Sequence, residues 1–172
     1  TLAVLVSASA HAQLEEVIVT AQKRAESLQD TPVAVSAYNA RTLENMGIAS
    51  LSDLSISTPS LQSYDFPTSA NNQALFIRGF GNLDSQTLTT DNPVGIYIDG
   101  VYIARSTGAL VELLDLERIE VLRGPQGTLY GRNSSAGAIN FVTRKPADER
   151  SFRLRAGAGN FGHQVWSGTA DL

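Results

Sequence analysis

The sequence predicts an α+β domain, with a small mixed β-sheet and short helices, followed by the first strands of an antiparallel transmembrane β-barrel. Three observations predict it. Two β-rich runs, Arg118 to Leu122 and Ala138 to Thr143, flank a loop holding Gly124, Pro125, Gly127, Gly131 and Gly137, where backbone can turn sharply or approach other backbone closely. Asn39 and Ser50 each precede a short apolar-periodic stretch, closed by Gly47 in one case and Thr58-Pro59 in the other, the start and stop signals of two short helices. From Ser151 onward, apolar residues (Phe152, Leu154, Ala156, Ala158) alternate with polar or small ones, and Asn160-Phe161-Gly162 leads into a second such run with Trp166. Runs of roughly 10 alternating residues joined by a short turn suit a hairpin with one face to lipid and one to a lumen.

Composition excludes several function classes. The chain has 172 residues, 42% hydrophobic, with 13 basic and 17 acidic residues for a net charge of -4. That is enough to build one ordinary core, and no basic block marks a nucleic-acid surface. Without cysteine there is no disulfide, thiolate zinc site or cysteine nucleophile. His11 and His163 stand far apart without carboxylate companions at ligand spacing, so no metal site is expected. Glu112, Asp115, Glu117 and Glu120 lie close in sequence, but on a helix end and a strand they read as solvated or ion-paired groups and not as an acid/base dyad. The glycine-rich loop fails as a phosphate cradle, because Gly131 is followed by Arg132-Asn133 where a P-loop needs lysine and a hydroxyl residue. It fails as a dinucleotide site because a strand follows it, where a helix is required. No catalytic residue and no cofactor is expected.

Along the chain, Leu2 to Val6 is apolar and Ala10-His11-Ala12 ends in small residues. Residues 1–12 read as the tail of a secretory signal peptide, against a disordered or helical start of a cytosolic protein. The run is far short of the about 20 apolar residues that span a bilayer as a helix. Glu15 to Ala21 is a β-branched run led by acids. It fits either an exposed strand-addition peptide or the first strand of a globular sheet. A strand is expected over Pro32 to Ser36, helices over Ala40 to Met46 and Leu51 to Ile56, and a strand over Ala74 to Ile77 running into the bend Arg78-Gly79-Phe80-Gly81. Asn82 to Asn92 is polar and aperiodic, a loop. Pro93 to Ile103 is a hairpin around Asp99-Gly100, with Asp99 a turn residue and Tyr97 and Tyr102 a cross-strand pair or, less in keeping with a hairpin, a ligand-stacking pair. A helix is expected over Gly108 to Leu114. Arg78 and Arg123 each close a strand in front of glycine. They are either solvated edge residues or buried ones that need carboxylate partners.

The stretch from Glu117 to Thr143 resembles a segment of the form ERIEVLRGPxGxLYGxxxxGGxINxxTK, found in the plug domain of TonB-dependent outer-membrane receptors. It matches at Glu117, Arg118, Ile119, Glu120, Val121, Arg123, Gly124, Pro125, Gly127, Leu129, Tyr130, Gly131, Gly137, Ile139, Asn140 and Thr143, and departs at Ala136. Thr31 to Leu61 is similar to the opening of such plugs, Leu75 to Gly81 to the family's IRG motif, Val94 to Arg105 to VxxYxDGVYxxR, and Glu15 to Ala21 to the TonB box. The resemblance implies residues 1–12 as signal remnant, 13–28 as TonB box and linker, 29–146 as plug and 147–172 as the first barrel strands. It implies TonB binding by Glu16, Val17, Ile18, Val19 and Thr20, and anchoring of the plug by Arg78 and Arg123 against paired acids of the barrel wall. It also implies an apical loop with Phe80, Asn82, Asp84 and Gln86 toward the cargo, the alternative being a solvated connector. The implied function is active import of a scarce nutrient such as a ferric siderophore across the Gram-negative outer membrane. The plug sits in the barrel lumen and the N-terminus in the periplasm. Energy comes through TonB and its inner-membrane complex, and the barrel contacts outer-membrane lipid. Haem, cobalamin or a saccharide would fit as cargo equally well. The competing reading is a free-standing periplasmic binding or assembly module with a plug-like core.

Overall fold

The computed structural model describes residues 17–48, 50–66, 69–83, 90–104, 116–145, 150–162 and 164–171. The leader over 1–12, Glu16, Asp84, Gln86 and the helix expected over Gly108 to Leu114 lie outside the described residues.

The centre is a five-stranded mixed sheet of β3 (Val35–Asn39), β9 (Leu116–Arg123), β10 (Gly137–Thr143), β7 (Val94–Ile98) and β8 (Val101–Ile103), in that spatial order. β10 runs parallel to β7 and antiparallel to β9, and the β3–β9 and β7–β8 pairs are antiparallel. The mixed character follows from connectivity. β7–β8 and β9–β10 are each linked locally, and the parallel seam is where the two units meet. Gly137 makes the β9–β10 approach possible, because a Cβ there would sit 2.3 Å from the Leu122 carbonyl oxygen.

Strand periodicity gives this sheet two distinct faces. Ile96, Ile119, Val121, Ile139 and Phe141 join Leu43, Leu51 and Leu54 of helices α1 (Ala40–Asn45) and α2 (Leu51–Ser57) in one aliphatic cluster. Leu122, Ala138, Tyr97 and Tyr130 point the other way, into a smaller cluster with Val19 and Ala21. An irregularity in the β9–β10 register beside Thr143, which pairs with Leu116, lets Leu116 join the aliphatic face despite its even spacing from Arg118 and Glu120.

The helices begin where local chemistry says they should. The Asn39 side chain accepts from the Thr42 amide (2.8 Å), and Gly47, at φ 67°, lets Ile48 N donate to Leu43 O (3.0 Å). Ser50 and Asp53 form a reciprocal capping box, Ser50 N to Asp53 Oδ2 at 2.9 Å and Asp53 N to Ser50 Oγ at 3.1 Å. The β7–β8 turn places Asp99 (φ 49°) and Gly100 (φ 80°) in the left-handed region, as Asp-Gly permits. The Asp99 carboxylate then accepts from Thr143 N (2.9 Å) and Thr143 Oγ1 (2.7 Å), tying the hairpin to the end of β10. β3 starts at Val35 and not at Pro32, because its register is fixed by Val35 opposite Leu122 and Pro32 has no amide to contribute.

A second sheet of β4 (Leu61–Phe66), β5 (Ser69–Ile77) and β6 (Phe80–Gly81) is antiparallel throughout. β11 (Ser151–Ala158) and β12 (Gln164–Asp171) form an eight-pair antiparallel hairpin around the Asn160–Gly162 turn. Phe152, Leu154 and Trp166 are exposed on it. No helix among the described residues is long and apolar enough to cross a membrane.

Candidate functional site

Val17 to Ala21, the described part of the Glu15 to Ala21 run, is where the structure departs most from an exposed peptide. Ile18–Val19 forms a two-residue strand, β1, antiparallel to β2 (Glu26–Ser27), with Ile18 opposite Ser27 and Val19 opposite Glu26. Leu28 N donates to Val17 O (2.9 Å), extending the ladder, and Lys23 N donates to Thr20 O (2.8 Å) in the turn between the strands. Val19 and Ala21 are buried in the second cluster, whereas Ile18 is half exposed. Val17, Ile18, Val19 and Thr20 are therefore docked on the sheet and not exposed along their whole length. Small apolar side chains at alternate positions suit the face built from Leu122 and Ala138.

Thr20 carries the polar half of this docking. Glu120, fully buried on β9, accepts from the Thr20 amide (Oε1, 2.7 Å) and from Thr20 Oγ1 (3.1 Å to Oε1, 3.3 Å to Oε2). The same carboxylate accepts from Arg118 Nε (2.8 Å) and Asn140 Nδ2 (3.4 Å). Arg118 also donates through Nη2 to Thr20 Oγ1 (3.2 Å) and pairs with Glu117 at the rim. Burying a carboxylate is costly unless its charge and lone pairs are met. Here Arg118 meets the charge and Thr20 supplies the backbone donor, so the N-terminal segment completes the site. Beside it lies an open cleft of about 540 Å³, lined by Thr20, Lys23, Asp99, Arg118, Tyr130 and Asn140 among others. Asn140 Oδ1 and the Tyr130 hydroxyl are buried without a hydrogen-bond partner among the described residues.

Aromatic rings hold the turn. Lys23 Nζ lies 4.3 Å from the Tyr130 ring centroid and 5.4 Å from that of Tyr97. Tyr97 donates its hydroxyl to Tyr130 O (2.7 Å) and packs on Tyr102 directly across the hairpin, centroids 5.5 Å apart, so the pair is cross-strand packing. Burial pushes the Tyr130 phenol well above its usual range, and the nearby Glu120 and Tyr97 add to it. Tyr97 is also raised, by burial first and Tyr102 second, against a lowering hydrogen bond with Ser134.

Arg78 reaches the glycine that follows Arg123. A Cβ on Gly124 would stand 3.3 Å from Arg78 Nη1, so the end of the Arg78 side chain rests beside Gly124, next to Arg123. Arg78 occupies the left-handed region (φ 55°) in the β5–β6 turn, with its side chain exposed. Arg123 is half-buried at the end of β9, with its Nε buried and unpartnered among the described residues. Neither meets a carboxylate among the described residues. Phe80 is exposed and Asn82 partly buried beyond Arg78, while Asp84 and Gln86 fall outside the described residues. Sequence reasoning named Thr20 but missed its partners Glu120, Arg118, Asn140 and Lys23. The signal for two of them was present: Arg118 and Glu120 are charges alternating with Ile119 and Val121 along one strand.

Residues 27–138 match the family model described as TonB-dependent Receptor Plug Domain. The chain is 32% identical over 161 residues to the Iron-regulated outer membrane virulence protein of Vibrio cholerae, covering 88% of this chain and 24% of that protein. It is 27% identical over 150 residues to the Vitamin B12 transporter of Vibrio vulnificus, covering 85% of this chain and 23% of that one. Among solved structures, the ferric yersiniabactin uptake receptor of Yersinia pestis superposes with a TM-score of 0.63 at 29% identity, covering 73% of this chain and 19% of that receptor. The chain thus spans under a quarter of the length of these relatives, which are an outer-membrane protein, a transporter and an uptake receptor.

Proposed function

Because this chain belongs to the TonB-dependent receptor plug domain family, we propose that it is the gating N-terminal part of an outer-membrane importer, with no chemistry of its own. Residues 13–28 are the TonB box and its linker, 29–146 the plug within the lumen, and 147–172 the opening of the barrel wall. Cargo is bound near Phe80, Asn82, Asp84 and Gln86, and Arg78 and Arg123 hold the plug to acids of the wall. Cargo arrival frees Glu16 to Thr20 for TonB, whose inner-membrane complex supplies the energy. A ferric siderophore is the cargo class favoured by the ferric yersiniabactin receptor, while the vitamin B12 transporter keeps cobalamin as a second candidate.

The observation that supports this most is the docking of Thr20 on a buried Glu120–Arg118 pair. A segment held by a few polar contacts, a two-residue strand and the small buried side chains Val19 and Ala21 can leave without unravelling the sheet behind it. The test is a labelled peptide spanning Gln13 to Arg24 titrated with the periplasmic domain of TonB, beside an Ile18→Pro peptide that lacks a ladder donor. Saturable binding that the proline removes is expected. Equal binding by both peptides, or by neither, would contradict strand addition at this segment.

A further inference from the structure

We propose that Glu120, oriented by Arg118, is the catch that keeps the TonB-recognition segment closed, and that β2 occupies the edge to which TonB's own strand would add. The inference rests on the reading above and names the residues that regulate its site.

Strand addition requires free main-chain donors and acceptors along one edge of the incoming segment. In this fold those groups are taken. Val17 O accepts from Leu28 N, Ile18 and Val19 face Ser27 and Glu26, Thr20 N is bound to the Glu120 carboxylate, and Thr20 O accepts from Lys23 N. One edge of the segment is closed by its own chain and its exit is closed by a side chain from β9, 100 residues away. Glu120 is the catch among these contacts because its bond to the Thr20 amide is charge-assisted and short, and such bonds are roughly twice as strong as neutral ones. Its geometry is fixed by Arg118 Nε at 2.8 Å and Asn140 Nδ2 at 3.4 Å, so it stays in place when Thr20 leaves. Glu120 is thus a positioning residue for the coupling step: it touches neither TonB nor cargo and acts through Thr20.

Closing the segment lowers its apparent affinity for TonB by the fraction of molecules that are open. The test uses the full-length receptor in its cargo-free form, with the periplasmic domain of TonB as the probe. Glu120→Gln keeps the size of the side chain and removes its charge, and Leu28→Pro removes the donor to Val17 O, with Leu28→Ala as the control for the lost packing of the Leu28 side chain on the second cluster. The expected result is that each variant binds the TonB domain about tenfold or more tightly than the unaltered cargo-free receptor, while hydrogen exchange of the β9–β10 ladder is unchanged. Affinities equal to the unaltered receptor in both variants, with the free Gln13 to Arg24 peptide still binding, would overturn the catch and leave the importer reading standing. A free peptide that fails to bind would overturn the importer reading itself. If Glu120→Gln also opens the β9–β10 ladder, Leu28→Pro decides: tighter binding supports closure of the edge, and unchanged binding overturns it.

Discussion

The two faces of the central sheet are built from the same strands and held by different physics. On the helix side, Ile119, Val121, Ile139 and Phe141 are fully buried against Leu51 and Leu54, and burying each such side chain contributes about 1.5–3 kcal/mol. On the opposite side, Leu122 and Ala138 keep a smaller apolar patch with Val19 and Ala21, but Arg118, Glu120 and Asn140 stand beside it, and the cover is a segment whose regular structure is two residues long. Apolar burial is non-directional and is lost only by opening the core. A hydrogen-bonded ion pair is directional, and its capping donor can be withdrawn and replaced by water. On the function proposed above, one face stays closed while the other gives up its cover.

The comparison breaks first at Phe141. Phe141→Ala should cost about 3–5 kcal/mol through a cavity in the aliphatic cluster. Hydrogen exchange in the full-length receptor should then show protection lost across both β9 and β10, and loss confined to the N-terminal segment would invert the assignment of the faces. Ser50→Ala removes the α2 cap and should cost about 1 kcal/mol, read as faster exchange at Leu54 and Thr58 with Thr20 unaffected. On the other face, Lys23→Ala removes the cation from above Tyr130, a loss of about 0.5–1 kcal/mol. It should speed exchange at the Thr20 and Leu28 amides and leave α2 alone. Smallest of all, Tyr130→Phe deletes a buried hydroxyl without a partner among the described residues, so near-neutral stability is expected below pH 10.

The same tyrosine sets a pH dependence. Its folded-state pKa is raised above the ordinary value of 10.0, so the protonated phenol is the form the folded state favours. That contribution is fully present below pH 10 and is lost as pH rises through the folded value. Alkali should loosen the N-terminal face before the helix face, and Tyr130→Phe should blunt that effect.

Much of the fold was legible because it is local. Asn39, Ser50 with Asp53, Gly47 and Asp99-Gly100 act on residues within a few positions, and each does in space what its spacing implies. What was not legible depended on distant partners. β3 is placed by the Val35–Leu122 register, and β4 is hidden by Gln62, Ser63 and Asp65 until β5 pairs with it. Thr20 could be singled out in sequence, but its docking could not, because the carboxylate that receives it comes from the far end of the domain. Glu120 in turn reads as one acid in a cluster of four, and only burial on the segment-facing side separates it from Glu117, which stays at the rim. Arg78 was legible as the end of a strand in front of glycine, but its left-handed backbone was not, since that follows from the β5–β6 turn.

Whether one face of the sheet releases its cover while the other does not can be read by hydrogen exchange of the full-length receptor with and without the cargo class proposed above, a ferric siderophore. Cargo should accelerate exchange at the Thr20 and Leu28 amides while the Ile119 and Phe141 ladder stays protected. Equal acceleration on both faces, or a Thr20 amide that exchanges freely without cargo, would contradict it.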